Sequence, residues 1–226
     1  MLNYKSVAID GPSGAGKSTL AKRLAEAMRF LYVDTGAIYR TVGLHVRNNG
    51  AVPSDAGQVT PLLATARIEM GHGEDGLQRM YLNGADVTWE IRHNEISKYA
   101  SGVSAIPAVR AFLLEMQRSL ARTHNVVMDG RDIATVVLPH ADVKIFLTAS
   151  PEVRAARRWR ELREKGSDLD YETVLADLRQ RDFKDEHRDT APLRRAEDAV
   201  LVDTTHRSLE ESFQFMLDLI RERLGT

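Results

Sequence analysis

The sequence predicts an α/β fold, with helices flanking a mainly parallel sheet and a small antiparallel insert. Three features predict it. Short β-branched runs alternate with longer helical patterns, as successive βα units require. Several of those runs are apolar nearly throughout, which suits strands covered on both faces. A glycine-rich segment follows the first run and leads directly into a helical pattern, the placement of an anion-binding turn.

Strands of the main sheet are expected at Lys5–Ile9, Phe30–Val33, Asn125–Met128, Val143–Thr148 and Ala199–Val202. Leu20, Leu24 and Ala27 mark the buried face of the first helix; Leu209, Phe213, Met216, Leu217, Ile220 and Leu224 mark that of the last. The last helix opens on Ser208-Leu209-Glu210-Glu211, a capping box. Ser150-Pro151 gives another helix its N-cap and first-turn proline, and Gly166 ends it. From Ala66 to Val87 the pattern becomes strand, glycine-rich loop (Gly71-His72-Gly73-Glu74-Asp75-Gly76), strand, Asn83-Gly84 turn, strand. Asn-Gly between alternating runs is a strong hairpin signal. Helices follow near Asn94–Ser104 and Pro107–Arg122. The insert is expected to be a subdomain that moves relative to the core, as substrate-covering pieces often do.

Composition narrows the function classes. Thirty-one Lys+Arg against 32 Asp+Glu give a formal net charge of −1. No global basic excess exists to hold a duplex, so a nucleic-acid partner is not expected. Cysteine is absent, which removes disulfides, thiolate metal sites and Cys nucleophiles together. The seven His residues show no metal-ligand spacing. No apolar run approaches ~18 residues and no signal peptide precedes the first strand, so a cytoplasmic protein without a membrane partner is expected; a monomer is the expected oligomeric state.

Gly11-Pro12-Ser13-Gly14-Ala15-Gly16-Lys17-Ser18-Thr19 fits the pattern G-x-x-x-x-G-K-S/T at every fixed position. Glycines let the backbone fold tightly, so that successive N–H groups point at phosphate oxygens. Lys17 adds a point charge for the β/γ-phosphates, and the Ser18 hydroxyl suits Mg²⁺. The helix beyond directs its positive end at the same oxygens. The glycine order is not G-x-G-x-x-G, and no acidic residue stands where a ribose contact would, so a dinucleotide fold is disfavoured. A nucleoside-triphosphate site is expected.

Other polar residues gather where strands end, the ligand-binding edge of open α/β sheets. Asp34-Thr35-Gly36-Ala37-Ile38-Tyr39-Arg40 closes the second strand as a capped helix start. Asp129-Gly130-Arg131-Asp132 closes the third; an Asp there steadies Mg²⁺ or its waters, or caps a turn. Arg131 in a tight glycine turn seldom arises from packing needs. Arg154, Arg157, Arg158, Arg160 and Arg163 decorate one helix, Arg154 and Arg158 sharing a face, with Glu161 and Glu164 interleaved as on a solvated surface. Arg181, Asp185 and Arg188 repeat at i, i+4, i+7 on the next helix. They form either an exposed ion-pair ladder or a ribose-and-phosphate reader.

Together these blocks resemble the bacterial long-type cytidylate kinases nearly end to end: GPSGAGKST, DTGAIYR, the hairpin insert, the Ser101/Arg110 region, DGRDIATVV, KIFL, and RDxxDxxRxxAPL at Arg181–Leu193. The resemblance implies a P-loop NTPase fold with a five-stranded parallel core (about 1–37, 124–152 and 190–226). It also implies a nucleoside-monophosphate-binding insert (about 38–123) and a short lid (about 153–189). It implies transfer of the ATP γ-phosphoryl group to CMP or dCMP, with Mg²⁺. Thr35, Tyr39, Arg40, Arg131 and Arg188 match residues around the acceptor phosphate. Ser101, Arg110 and Asp132 match the cytosine reader, and Arg181 and Asp185 reach the sugar. Lys17, Arg131, Arg188 and the lid's Arg158 are the expected charge neutralisers. Another phosphate-loop kinase, for thymidylate or shikimate, is the alternative. A regulatory GTPase or an ATP-driven binding module should carry N-K-x-D or L-S-G-G-Q, and neither string occurs.

Overall fold

The computed structural model describes residues 4–74, 76–164 and 166–225; Asp75 of the expected glycine-rich loop lies outside them. The first half runs β1 (Ser6–Asp10), α1 (Lys17–Met28), β2 (Leu31–Asp34), α2 (Thr35–Asn48), α3 (Ala56–Leu62), β3 (Ile68–His72), β4 (Gln78–Leu82), β5 (Ala85–Asp86) and α4 (Asn94–Val103). Then come α5 (Pro107–Thr123), β6 (Val126–Gly130), β7 (Val143–Thr148), α6 (Pro151–Glu164), α7 (Tyr171–His187), β8 (Val200–Asp203) and α8 (Leu209–Leu224).

Five strands form one parallel sheet in the order β2-β6-β1-β7-β8. Val7, Ile9, Val127, Ile145 and Val202 pack with Leu20 and Leu24 of α1 and Met216 and Ile220 of α8. That burial is why these strands read as continuous apolar runs. All five expected strands form, but four of them end one or two residues later than their apolar pattern. Asp10, Asp34, Gly130 and Asp203 keep extended backbone after the hydrophobic signal stops. The sheet's C-terminal edge is therefore carried by polar residues. Gly11 must be glycine: its φ is 149°, and a Cβ there would lie 1.9 Å from the Leu147 carbonyl oxygen.

The chain divides into two compact units, Val33–Arg122 and the remainder. In Val33–Arg122, β3, β4 and β5 form the antiparallel sheet. Asn83 and Gly84 both have positive φ between paired Leu82 and Ala85, a two-residue type I′ hairpin. The seven-residue α3, with Pro61 inside it, is too short for periodicity to reveal; Asp55 caps it by accepting the Gly57 and Gln58 amides at 2.9 and 3.2 Å.

In the other unit α6 and α7 share a small apolar seam of Ala155, Leu162, Val174, Leu175 and Leu178. Ser150 caps α6 through Val153 N–H at 3.3 Å, Gly166 follows it at φ 79°, and the capping box of α8 forms as expected. One expectation fails. Helix α7 stops at His187, and Arg188 is extended (φ −70°, ψ 143°), so it does not share a helix face with Arg181 and Asp185. The Ala191-Pro192 step bars the helix from resuming there, since proline disfavours helical backbone just before it and offers no N–H. No helix among the described residues is long and apolar enough to cross a membrane.

Candidate active site

The glycine-rich segment forms a tight turn between β1 and α1, with Gly14 and Gly16 at φ 73° and 90°. Lys17 is 5% exposed, and its Nζ donates to the Pro12 carbonyl at 2.6 Å, closing the loop on itself. Burial, then the nearby Arg131 and Arg181 charges, push the Lys17 ammonium well below its ordinary pKa, against the opposing pull of Asp129 and Asp10. Ser18 Oγ donates to Asp129 Oδ2 at 3.0 Å, and Tyr32 Oη to Asp129 Oδ1 at 2.9 Å. Thr19 stands next on α1, at the surface.

This all-oxygen pair suits a hard cation. No cluster of three or more His, Cys, Asp or Glu among the described residues could hold one.

Beyond β6 the predicted residues converge. Arg131 Nε donates to Asp185 Oδ2 at 2.9 Å, and its Nη1 to the Gly130 carbonyl at 3.2 Å. Arg188 Nε donates to Ala191 O at 2.6 Å, and its guanidinium lies 3.7 Å from Asp132 Oδ1. Ala191 itself holds a positive φ of 50°, a strained turn that presents this carbonyl. Asp185 is buried; burial alone would raise its pKa, but Arg131, Arg181 and Arg188 outweigh it and hold the carboxyl below its ordinary value. An exposed ladder is thus excluded: Asp185 faces Arg131 from another element. Arg158 pairs with Glu161 at 3.1 Å, half-exposed on α6, whereas Arg154 turns inward.

Sequence reasoning missed Asp10. Its two oxygens accept the Ile133 and Ala134 amides, both at 2.8 Å, tying the end of β1 to the turn that carries Arg131 and Asp132. Burial chiefly, with help from Asp132, raises its pKa from 3.8 to about 7 despite those amides and Lys17. The signal was present: an acid closing an apolar strand, as at Asp129.

A second group lies in Val33–Arg122. Asp34 caps α2 through the Ala37 amide at 2.9 Å and pairs with Arg40 at 2.9 Å and Arg92 at 3.0 Å. Burial opposes its charge, but Arg40 and Arg92 prevail and lower its pKa. Arg92 was not foreseen, since it sits in a short turn without periodicity. Thr35 is buried at the helix start. The Arg110 guanidinium lies 5.5 Å from the Tyr39 ring centroid and donates to Ser104 O at 3.0 Å. Ser104 Oγ in turn donates to the carbonyl of Ser101, on α4.

Comparison with known proteins identifies the family. The family model for cytidylate kinase matches residues 7–222. A cytidylate kinase of Caldicellulosiruptor bescii is 49% identical over 214 residues, covering 95% of this chain and 94% of that one. That of Carboxydothermus hydrogenoformans is 48% identical over 214 residues, covering 95% and 96%. That of Leuconostoc mesenteroides subsp. mesenteroides is 45% identical, and both chains are covered in full. With the phosphate loop, the arginine cluster beyond β6 and the hairpin insert all falling inside the matched span, the chain belongs to the cytidylate kinase family.

Proposed function

We propose that the chain transfers the γ-phosphoryl group of ATP to CMP or dCMP, giving ADP and CDP or dCDP. The family match across residues 7–222, beginning at a complete phosphate loop, carries this reading. A thymidylate or shikimate kinase is not favoured, because relatives covering nearly the whole chain are named cytidylate kinases.

The roles are those that the family resemblance implies, and charge and burial at these residues support them. Gly11 to Thr19 hold the donor phosphates, and a triphosphate there supplies negative charge that favours the ammonium form of Lys17. Mg²⁺, held by Ser18 with Asp129 directly or through water, would neutralise phosphate charge and fix the donor oxygens. Thr35, Tyr39, Arg40, Arg131 and Arg188 receive the acceptor phosphate. Asp132 and Arg110, with Ser101, offer the acceptor and donor that cytosine's amine and ring nitrogen require, and Arg181 and Asp185 serve the sugar. Residues 38–123 act as the monophosphate-binding insert and 153–189 as the lid.

The nucleophile is a phosphate oxygen of the monophosphate, largely dianionic at pH 7 because its second pKa is about 6. No general base is needed. Catalysis is alignment and charge neutralisation by Lys17, Arg131, Arg188 and Arg158. Lid arginines closing over the site would exclude water and suppress ATP hydrolysis. A coupled ADP-release assay with ATP-Mg²⁺ against a panel of monophosphates tests the reading. CMP and dCMP should lead the panel; preference for TMP, or for no nucleotide at all, would overturn it.

A further inference from the structure

The outer side of the phosphate loop is fastened to both helices that follow β7. The Ser13 carbonyl accepts from Arg154 Nη1 at 2.9 Å, and the Ser13 amide donates to Asp182 Oδ1 at 3.3 Å. The same Arg154 nitrogen donates to Asp182 Oδ2 at 2.6 Å, closing a ring of three partners. Arg154 Nε holds the Ala149 carbonyl at 2.8 Å. Arg154 and Asp182 are 4% and 8% exposed. Gly14 completes the approach, since a Cβ on it would stand 3.3 Å from Arg154 Cβ.

A buried ion pair is weak as a stabilising device, and α6 and α7 already have an apolar seam of their own. A carboxylate beside a triphosphate cradle is also the wrong sign for a ligand contact. What the pair does is geometric. It fixes the Ser13 N–H and the Ser13 C=O toward α6 and α7, and because the Ser13–Gly14 peptide is planar and trans, the Gly14 N–H points the opposite way from that carbonyl. Arg154 supplies the charge that makes the carboxylate tolerable there.

We propose that Arg154 and Asp182 are positioning residues that hold the Ser13–Gly14 peptide in its phosphate-binding shape, so that affinity for the donor nucleotide depends on them and affinity for the acceptor does not. The inference deepens the kinase reading above and rests on it. Arg154 also borders a hollow lined by Pro12, Thr148, Pro151 and Thr205, so Asp182, which does not line it, is the cleaner probe.

The test uses the full chain with Asp182→Asn, Arg154→Gln and the double variant. KM for ATP and for CMP would be measured separately, ATP titrated calorimetrically without acceptor, and melting followed. Asp182→Asn should weaken ATP about tenfold by both measures, the loss of one charge-assisted hydrogen bond, with KM for CMP within about twofold. Arg154→Gln should be worse, because it strands a carboxylate at the cradle, and the double variant should bind ATP better than Arg154→Gln alone. Unchanged ATP affinity in a folded Asp182→Asn, or equal rises in both KM values, would overturn the proposal. Should Arg154→Gln fail to fold, the nearly isosteric Asp182→Asn decides alone. A wild-type chain that binds ATP but leaves CMP unphosphorylated would sink the acceptor assignment instead, and the ATP titration would still judge the loop.

Discussion

Replacing Asp10 by Asn should flatten the pH dependence of stability on the alkaline side. In the folded chain the Asp10 carboxyl is buried and its pKa stands at about 7, against 3.8 ordinarily. The folded state therefore binds more protons than the unfolded state between those values. Its contribution is fully present below about pH 4 and is lost as pH rises through 7. About three pH units at ~1.4 kcal/mol each make the whole loss about 4 kcal/mol, of which about 3 falls between pH 5 and pH 8. Asn cannot ionise. It also keeps one acceptor for the two amides of Ile133 and Ala134, a pH-independent penalty of ~1–3 kcal/mol. Asp34 and Asp185 are shifted the other way, so their stabilisation disappears only as pH falls below the ordinary carboxylate range, outside this window. Urea unfolding of both proteins at pH 5 and pH 8 gives the difference of differences, in which other titrating groups cancel. The variant should gain about 3 kcal/mol on the wild type between the two pH values. A gap that stays constant within ~1 kcal/mol would refute the reasoning.

Lys17→Ala should lower kcat/KM by a factor of hundreds, ~3–4 kcal/mol, without lowering the melting temperature, since burial opposes the Lys17 charge. Near-normal turnover in a folded variant would end the phosphate-loop reading. UMP should trail CMP and dCMP by ~1–3 kcal/mol in kcat/KM, because its carbonyl would face Asp132 with no proton between them; equal values would remove Asp132 and Arg110 from base recognition. Asp185→Ala frees Arg131 Nε, so kcat/KM should fall for CMP and dCMP alike by ~1–3 kcal/mol, with an extra loss for CMP where the carboxylate also takes the 2′-hydroxyl. Steady-state kinetics with both nucleotides decide it, and unchanged values for both would exclude Asp185 from the site.

The sheet was legible because strands buried on both faces leave an unambiguous apolar record, and the phosphate loop because its glycines are forced by backbone geometry. What escaped was set by hydrogen bonding rather than by hydrophobicity. Strand ends at Asp10 and Gly130 continue the ladder after the apolar signal stops. Arg188 stays close enough to Asp185 to lower its pKa, although it lies beyond the end of α7 and the shared helix face that its spacing suggested does not exist. Arg154 and Arg158 had the same spacing on α6, yet one is a buried strut and the other pairs with Glu161 at the surface. Periodicity gives a face, and only the neighbouring elements decide what that face meets.

The buried charges explain why a chain of net charge −1 can bind two polyanions. Lys17 lies close enough to Arg131 and Arg181 for each to oppose its proton, while Asp129 and Asp10 only partly offset them. Such an arrangement is unfavourable in the empty protein and becomes favourable when phosphate arrives, because the ligand supplies the missing negative charge. Asp10 is the converse, a carboxylate whose burial costs stability near neutral pH yet which fastens the Arg131–Asp132 turn to the strand preceding the loop. Both groups depart from what folding alone would select. The departures cluster at the sheet's C-terminal edge, where strain of this kind serves the chemistry.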